Sequence, residues 1–166
     1  MIRSIADFVT VWNQEVNNTK SLFRSLSDAS MQQSVTAEHR DLGRLAWHIT
    51  TTIREMMERT GLHVEGPDPE APVPATSEEI VRAYEISSES LVKALGSWTD
   101  TTLDQKDNMY GEEWSRSVTL QILLLHQTHH RGQMTVLMRQ AGLTVPGMYG
   151  PVKEDWAKYG MPTPVV

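Results

Sequence analysis

Apolar residues recur every three or four positions in four long stretches of the chain, as one face of an α-helix requires. The pattern predicts helices over residues 4–27, 41–59, 76–98 and 118–141. Gly61 and Gly142 stand where C-terminal cap glycines would follow the second and fourth of these helices. Thr76 and Glu79 have the spacing of a capping box at the start of the third helix.

The segment between the second and third predicted helices, GLHVEGPDPEAPVPAT, contains prolines at positions 67, 69, 72 and 74. Proline disfavours both a helix interior and a strand ladder, and it favours an extended backbone. A connection of about 14 residues is longer than antiparallel helices usually need. At about 3.1 Å per residue it can run back along a helix of about 28 Å, so we expect the second and third helices to be parallel.

Polar residues interrupt the periodicity between positions 100 and 114, and we interpret this stretch as a loop. The tail segment VPGMYGP predicts turns, and a short helix is expected after Pro151. Four amphipathic helices without a convincing alternating strand predict an all-α fold. The prediction is a single four-helix-bundle domain over residues 1–166, with a long proline-rich crossover between helices two and three and a short C-terminal helix.

Composition and charge argue against several classes of protein. A length of 166 residues, with 39% hydrophobic and 22% charged residues, is typical of one globular domain. The longest aliphatic run, Ile122 to Leu125, is far shorter than a membrane span, and the N-terminus lacks the apolar stretch of a signal peptide, so we expect a cytoplasmic protein. The formal charge of −6 argues against nucleic acid or an anionic membrane as partner. The sequence has no cysteine, so thiol chemistry would need an external thiol.

Three histidines fall within LLLHQTHHRGQM in the fourth predicted helix. His126 and His130 are four positions apart and about 40° apart around the helix axis, so both imidazoles can lean towards one ion. His129 is three positions from His126, and the pattern leaves open whether it replaces a member of the pair. The same spacing is compatible with half-buried histidines that neighbouring polar groups satisfy.

His48, in LGRLAWHITTTI of the second helix, can supply a third ligand from a neighbouring helix. Three neutral imidazole nitrogens leave one position of a tetrahedral ion open for water or substrate, as in catalytic zinc sites. The alternative for His48 is a core histidine whose ring nitrogens are satisfied by hydrogen bonds. We expect His39 and His63 to be solvated at the surface.

Two familiar helix-borne metal sites are excluded. A zincin helix carries glutamate directly after its first histidine, where this chain has Gln127. A di-iron carboxylate bundle requires glutamate three positions before a histidine, and none of the six histidines has one there.

The motifs LGRLAWHI, HQTHHRGQ and GLTVPGMYGP together resemble the DinB/YfiT-like superfamily of metalloenzymes, which is named for DNA-damage-inducible proteins. The resemblance spans nearly the whole chain. It implies a stress-related four-helix bundle in which His48, His126 and His130 form a metal triad. It also implies a homodimer, one divalent ion such as zinc, nickel or iron, and transferase or isomerase reactions that use a low-molecular-weight thiol such as mycothiol or bacillithiol.

The hypothesis is therefore a metal-dependent transferase or isomerase in which an external thiol attacks a small electrophile. Gln133, Thr52 and Glu55 are the candidate catalytic residues, because they lie near the triad on the same helices. Each has a structural alternative: Gln133 can hold a ligand imidazole, Thr52 can bond a carbonyl of its own helix, and Glu55 can be a surface charge. Arg131 is expected to pair with a carboxylate between helices.

Two other functions stay open at this stage. A metal-dependent hydrolase would use a metal-activated water, and it needs a proton-accepting group that the sequence does not identify. A non-catalytic, stress-related bundle would bind a metal or a small ligand without turnover. An ion with an open coordination position would favour the enzymes, and a closed ion would favour the binding protein.

Overall fold

The computed structural model describes residues 2–165 and is mainly helical. The four long helices are α1 (Ile5–Arg24), α2 (Leu42–Glu58), α3 (Ser77–Leu95) and α4 (Arg116–Gln140). Short 3-10 helices span Asp28–Gln32, Asp100–Asp104 and Lys153–Tyr159, and an antiparallel hairpin joins β1 (Lys106–Met109) to β2 (Glu112–Ser115). The predicted helical bundle is confirmed, and the short helix expected after Pro151 is the last of the 3-10 helices.

Each long helix begins at a side chain that accepts a hydrogen bond from a backbone N–H of the first turn. Ser4, Asp41 and Ser115 have this role at the starts of α1, α2 and α4. Thr76 and Glu79 form the predicted capping box of α3. A side-chain cap satisfies N–H groups that have no partner inside the helix, and its loss typically costs about 1 kcal/mol. The caps explain why the predicted and observed helix starts agree within a residue or two.

The helices pack around a shared apolar core, with α2 against α3 and α4, and with α1 also against α3 and α4. Ile5, at the start of α1, donates its backbone N–H to Asp100 beyond the end of α3. Ser77, at the start of α3, donates to Asp28 beyond the end of α1, so these two helices are antiparallel. Arg116, at the start of α4, donates to a carbonyl just beyond the end of α2, so α2 and α4 are antiparallel as well.

The proline-rich connection runs back along α2, as its length predicts. Arg54, in the second half of α2, donates to the carbonyl of Gly66 at 3.1 Å. Trp47, in the first half, donates its indole N–H to the carbonyl of Ala71 at 2.8 Å. Gly66 also passes so close to α3 that a Cβ atom there would lie 2.3 Å from the hydroxyl of Ser87. The prediction that α2 and α3 are parallel is therefore confirmed.

The prediction that residues 100–114 form a loop is wrong, because this stretch contains a 3-10 helix and most of a β-hairpin. Met109 pairs with Glu112, so only two residues form the turn. Tyr110 has φ 59° and Gly111 has φ 91°, which is the double positive φ of a type I′ turn. Glycine adopts this conformation freely, whereas a tyrosine does so rarely and with local backbone strain. The strands are polar and short, which explains why no alternating pattern revealed them.

The core is built from large apolar side chains of all four long helices. Those with no exposed area include Phe8, Trp12, Ile53, Tyr84 and Leu120. Within residues 2–165, no helix combines the length and the apolar character that crossing a membrane would require. Polar side chains enter the core where α2 faces α4, and this is where the histidines lie.

Candidate metal centre

Three histidines meet between α2 and α4. The Nε2 atom of His126 lies 3.0 Å from Nε2 of His48 and 3.1 Å from Nε2 of His130. Each ring offers one nitrogen to a common region, and these nitrogens all lie within 4.8 Å of one another. The structure thus brings together the three histidines that the sequence indicates as a triad.

Helix geometry explains this convergence. His126 and His130 are one turn apart on α4, so both rings lie on the side of α4 that faces α2. His48 extends from α2 between Trp47 and Ile49, whose buried side chains fix the rotation of that helix. His130 is 8% exposed, whereas His48 and His126 are half-buried. The cluster therefore lies at the edge of the core, where a small molecule can reach it.

Neighbouring side chains orient two of the three rings. The Nδ1–H of His130 donates to Oε1 of Gln133 at 2.7 Å. A neutral imidazole has only one N–H, so its Nε2 then presents a lone pair to the cluster. Thr52 donates its hydroxyl to the carbonyl oxygen of His48 at 2.6 Å, and its oxygen lies 3.5 Å from Nδ1 of the same ring. Both contacts match the structural roles predicted as alternatives to catalysis for Gln133 and Thr52.

The three imidazoles are held in their neutral form. Burial lowers the pKa of His48 to about 4 and that of His126 to about 3, and it also lowers the pKa of His130. The positive charge of Arg40 acts in the same direction on all three pKa values, whereas the hydrogen bond to Gln133 partly opposes the fall at His130. Neutral imidazole is the form that binds a metal ion.

The donor set fits a divalent transition-metal ion. Three nitrogens bound at about 2.0–2.1 Å to one tetrahedral ion lie about 3.3 Å apart, and the observed separations of 3.0 and 3.1 Å are close to this. Imidazole nitrogens suit zinc, nickel and iron better than magnesium or calcium. The Nδ1 atom of His126 is buried and has no hydrogen-bond partner within residues 2–165, so packing alone orients this ring. The three histidines could therefore hold one such ion.

Two cavities of about 440 Å³ each border the cluster. One is lined by His48, His126 and Glu55, and the other by His130 and Gln133. A larger cavity of about 650 Å³ runs beside the proline-rich connection and touches the cluster only at His48. The histidines are thus accessible from two sides, and cavities of this kind are where small molecules bind.

Glu55 lies on a cavity wall, and its carboxylate already has partners. Arg59 donates its Nε–H to Oε1 at 2.5 Å, and Tyr110 donates its hydroxyl to Oε2 at 2.6 Å. Burial and the neighbouring carboxylate raise the pKa of Tyr110 well above its usual value. Tyr110 comes from the tip of the hairpin and is a site residue that sequence reasoning missed. In the sequence, the turn-forming Gly111 that follows it is the one feature that marks its position at a hairpin tip.

The other histidines lie outside the cluster. His129 is exposed on α4, and although its ring contacts that of His130, it is not part of the convergent group. The geometry therefore favours His130 over His129 beside His126. His39 and His63 are exposed, as predicted.

The residue that follows His130 belongs to a second, separate polar cluster. Arg131 is 1% exposed and pairs with Glu15 of α1, which confirms the expected interhelical ion pair. It also donates to the hydroxyl of Thr19 at 2.7 Å and to that of Tyr149 in the C-terminal segment. Tyr149 in turn donates to Glu15. We call these four residues the Arg131 cluster.

Comparisons with known proteins agree with this fold. The model of the DinB family matches residues 1–163. The uncharacterized protein YrdA of Bacillus subtilis (strain 168) is 43% identical over 165 residues, which are 99% of either chain. The crystal structure of a DinB-like protein from Bacillus cereus has a TM-score of 0.86 and 42% identity, and the match covers 90% of this chain and 100% of that one. The crystal structure of the DinB-like protein YjoA from Bacillus subtilis has a TM-score of 0.68 and 20% identity, and the match covers 88% of this chain and 99% of that one. At this identity the likeness supports the fold alone.

Proposed function

This chain belongs to the DinB family, and from that premise we propose that it is a metal-dependent transferase or isomerase that uses an external low-molecular-weight thiol on small electrophiles. The observation that carries the proposal is the convergence of the Nε2 atoms of His48, His126 and His130 beside two cavities. A divalent ion such as zinc, nickel or iron, held by these nitrogens, would lower the pKa of a thiol bound beside it.

The number and state of the histidines support a site that accepts an external ligand. Structural zinc sites use four protein ligands, whereas catalytic sites use three and keep a position for substrate. Within residues 2–165, the convergent group contains three residues and no carboxylate. Because the imidazoles are neutral, the net charge of an occupied site would stay positive and favour a thiolate over a thiol.

We propose different roles for the three candidate catalytic residues. Gln133 positions His130 through its hydrogen bond to Nδ1. Thr52 lies one turn beyond His48 on α2, where its hydroxyl bonds the His48 carbonyl and contacts Nδ1 at 3.5 Å, and its role is to limit the rotation of this ring. Glu55 shares a cavity with His48 and is the candidate that faces the substrate, together with Tyr110.

The nucleophile must come from outside the chain, because the sequence contains no cysteine. In the transfer step the thiolate sulfur forms a bond to a carbon of the electrophile, and the leaving group departs with its electron pair. The thiol proton passes to solvent. The chain's own residues bind and orient the reactants at the cluster.

Hydrolysis is the second enzymatic candidate, and the state of Glu55 disfavours it. A metal-dependent hydrolase needs a group that accepts a proton from water. Glu55 is a carboxylate on the wall of a cavity beside the histidines, but both of its oxygens already accept hydrogen bonds from Arg59 and Tyr110.

Thiol binding can be tested with cobalt(II) as a spectroscopic probe. Metal-free protein is loaded with cobalt(II) and titrated with 2-mercaptoethanol, and we expect a sulfur-to-cobalt charge-transfer band in the near ultraviolet. Turnover is then followed with 1-chloro-2,4-dinitrobenzene, because attack by the thiolate releases chloride. Cobalt that binds without a band would contradict the thiol proposal and favour a binding protein whose ion is coordinatively closed.

Two alanine variants separate the cluster from the rest of α4. His126→Ala should abolish the band, whereas His129→Ala should retain it, because His129 is exposed and outside the convergent group.

The homodimer that the family resemblance implies is a further part of the proposal. Light scattering on the eluting protein measures its mass, and a monomer would contradict that part alone.

A further inference from the structure

The cavity beside His130 differs in character from the one beside Glu55. Its walls include the apolar side chains of Val35 and Val136, which are 66% and 54% exposed, and of Leu137. Its volume of about 440 Å³ is in the range of small-molecule sites, which are mostly apolar with a few polar groups. Exposed apolar side chains that line a cavity next to a cluster of convergent nitrogens indicate a binding site for an apolar group.

Among the described residues that line this cavity, Arg40 is the only lysine or arginine. Among the lining residues that the structure describes there is no aspartate or glutamate. Arg40 is exposed, and no carboxylate of residues 2–165 lies within ion-pair distance of it. It is near enough to the cluster for its charge to act on all three imidazoles. A guanidinium without a carboxylate partner at the edge of an apolar cavity is suited to an anionic group of a ligand.

The loop that carries Val35 and Arg40 is closed by its own hydrogen bonds. The backbone N–H of Leu42 donates to the carbonyl of Gln33 at 2.9 Å, so the two ends of the loop are joined. A turn between Thr36 and His39, with 2.6 Å between the threonine hydroxyl and Nδ1 of the histidine, shapes the segment inside it. Such local bonds reduce the entropy that a ligand must overcome on binding.

We propose that this cavity binds a small carboxylate with an apolar body, whose carboxylate pairs with Arg40 and whose body lies between Val35 and Val136. The inference rests on the proposed function in one respect, since it names the substrate class of the same site. A ligand held in this way extends from Arg40 towards His130, which brings its other end to the convergent nitrogens.

The lining favours a carboxylate over a phosphate. A planar carboxylate is matched by the two parallel N–H donors of one guanidinium. A phosphate carries about two charges and needs further cationic donors, and Arg40 is the only lysine or arginine among the described residues that line this cavity.

The test uses 3-phenylpropionate and its neutral analogue 3-phenylpropanamide, titrated calorimetrically into the full chain with and without zinc. We expect the acid to bind at least about tenfold more tightly than the amide, as a charge-assisted pair provides. Arg40→Gln should remove this preference. Arg44→Gln is the matched control, because Arg44 is exposed on the neighbouring turn and lines the larger cavity, which Arg40 also borders, but not the cavity beside His130.

The outcomes separate this inference from the proposed function. Equal binding of acid and amide, or a preference that survives Arg40→Gln, would overturn the carboxylate proposal whatever the metal content. If the preference depends on Arg40 in chains that take up no zinc, the carboxylate site stands and the metal-dependent function fails. If neither compound binds and Val136→Asp converts a dimer into a monomer, the cavity is covered by a second copy of the chain and the proposal is wrong.

Discussion

Helix α4 carries two polar clusters on adjacent residues, and they differ in how their polar atoms are satisfied. Arg131 and Glu15 are opposite charges that neutralise each other, and hydroxyls of the same chain bond to both. His130 belongs to a group of three rings whose Nε2 nitrogens converge beside two cavities. Of the Arg131 guanidinium, only Nε lacks a partner within the described residues.

This difference indicates which cluster serves the fold and which serves a ligand. Buried opposite charges with hydroxyl partners neutralise each other without a ligand, so they hold α1, α4 and the C-terminal segment together. Imidazole nitrogens that converge on one point can all act as acceptors only when a cation or a donor lies between them. Mutations in the Arg131 cluster should therefore lower the stability of the fold, whereas mutations around the three histidines should lower the affinity for a ligand.

Removing Arg131 should give the largest effect on stability. Arg131→Met leaves the Glu15 carboxylate buried without its cation, and we expect the free energy of unfolding to fall by about 3–5 kcal/mol. Urea denaturation of the metal-free protein measures this change. The double variant Glu15→Gln with Arg131→Met should recover part of the loss, because it leaves no buried charge. If Arg131→Met lowered the free energy of unfolding by less than about 1 kcal/mol, the ion pair would contribute no more than a surface pair does, and the prediction would be wrong.

Gln133→Ala should act on metal binding and leave the fold intact. Gln133 is exposed and bonds Nδ1 of His130, so its loss removes the partner that directs the Nε2 lone pair. Removing such a partner typically weakens metal affinity about 10–100-fold. Competition with a chromophoric zinc chelator measures the affinity, and Gln140→Ala, exposed at the end of α4, is the control. Equal affinities for the two variants would show that Gln133 does not orient the ring.

Acid should destabilise the metal-free protein through the histidine cluster. The pKa values of about 4 for His48 and 3 for His126 lie below the 6.5 of a free imidazole. Between pH 6.5 and 5 the unfolded chain therefore binds protons that the folded chain does not, and stability present above pH 6.5 is lost as the pH falls. Because both rings are partly exposed, we expect a loss of about 1 kcal/mol per histidine at pH 5.

Urea denaturation at pH 7.5 and pH 5 checks this pH dependence. His126→Ala has one fewer titrating ring, so its stability should fall less between the two pH values than that of the wild type. An identical fall in both proteins would assign the pH dependence to other groups.

The features that the sequence predicts well are those that local periodicity determines. The four helices, the capping box at Thr76 and the parallel connection follow from apolar spacing and from the length of the proline-rich segment. The juxtaposition of His48 with His126 and His130 follows from helix spacing together with the family resemblance. Spacing placed His130 on the apolar stripe and His129 on its rim, but it left the choice between them open, because that choice depends on which face of α4 meets α2.

The features that the sequence did not predict come from loops. Tyr110 and Arg40 line the cavities beside the histidines only because a hairpin and a loop fold over the ends of α2. The hairpin has polar strands and a tyrosine at positive φ, so neither an alternating pattern nor a usual turn residue marks it. Contacts such as that of Tyr110 with Glu55 are set by tertiary packing between residues far apart in sequence.

The most direct test of the central claim is the metal content of protein purified without an affinity tag or a chelator. Mass spectrometry of the wild type, His126→Ala and His129→Ala measures the ions bound per chain. We expect about one divalent ion in the wild type and in His129→Ala, and almost none in His126→Ala, because a site with two ligands loses most of its affinity. A wild type that carries no metal and takes up no zinc, nickel, iron or manganese would contradict the claim, as would full occupancy in His126→Ala.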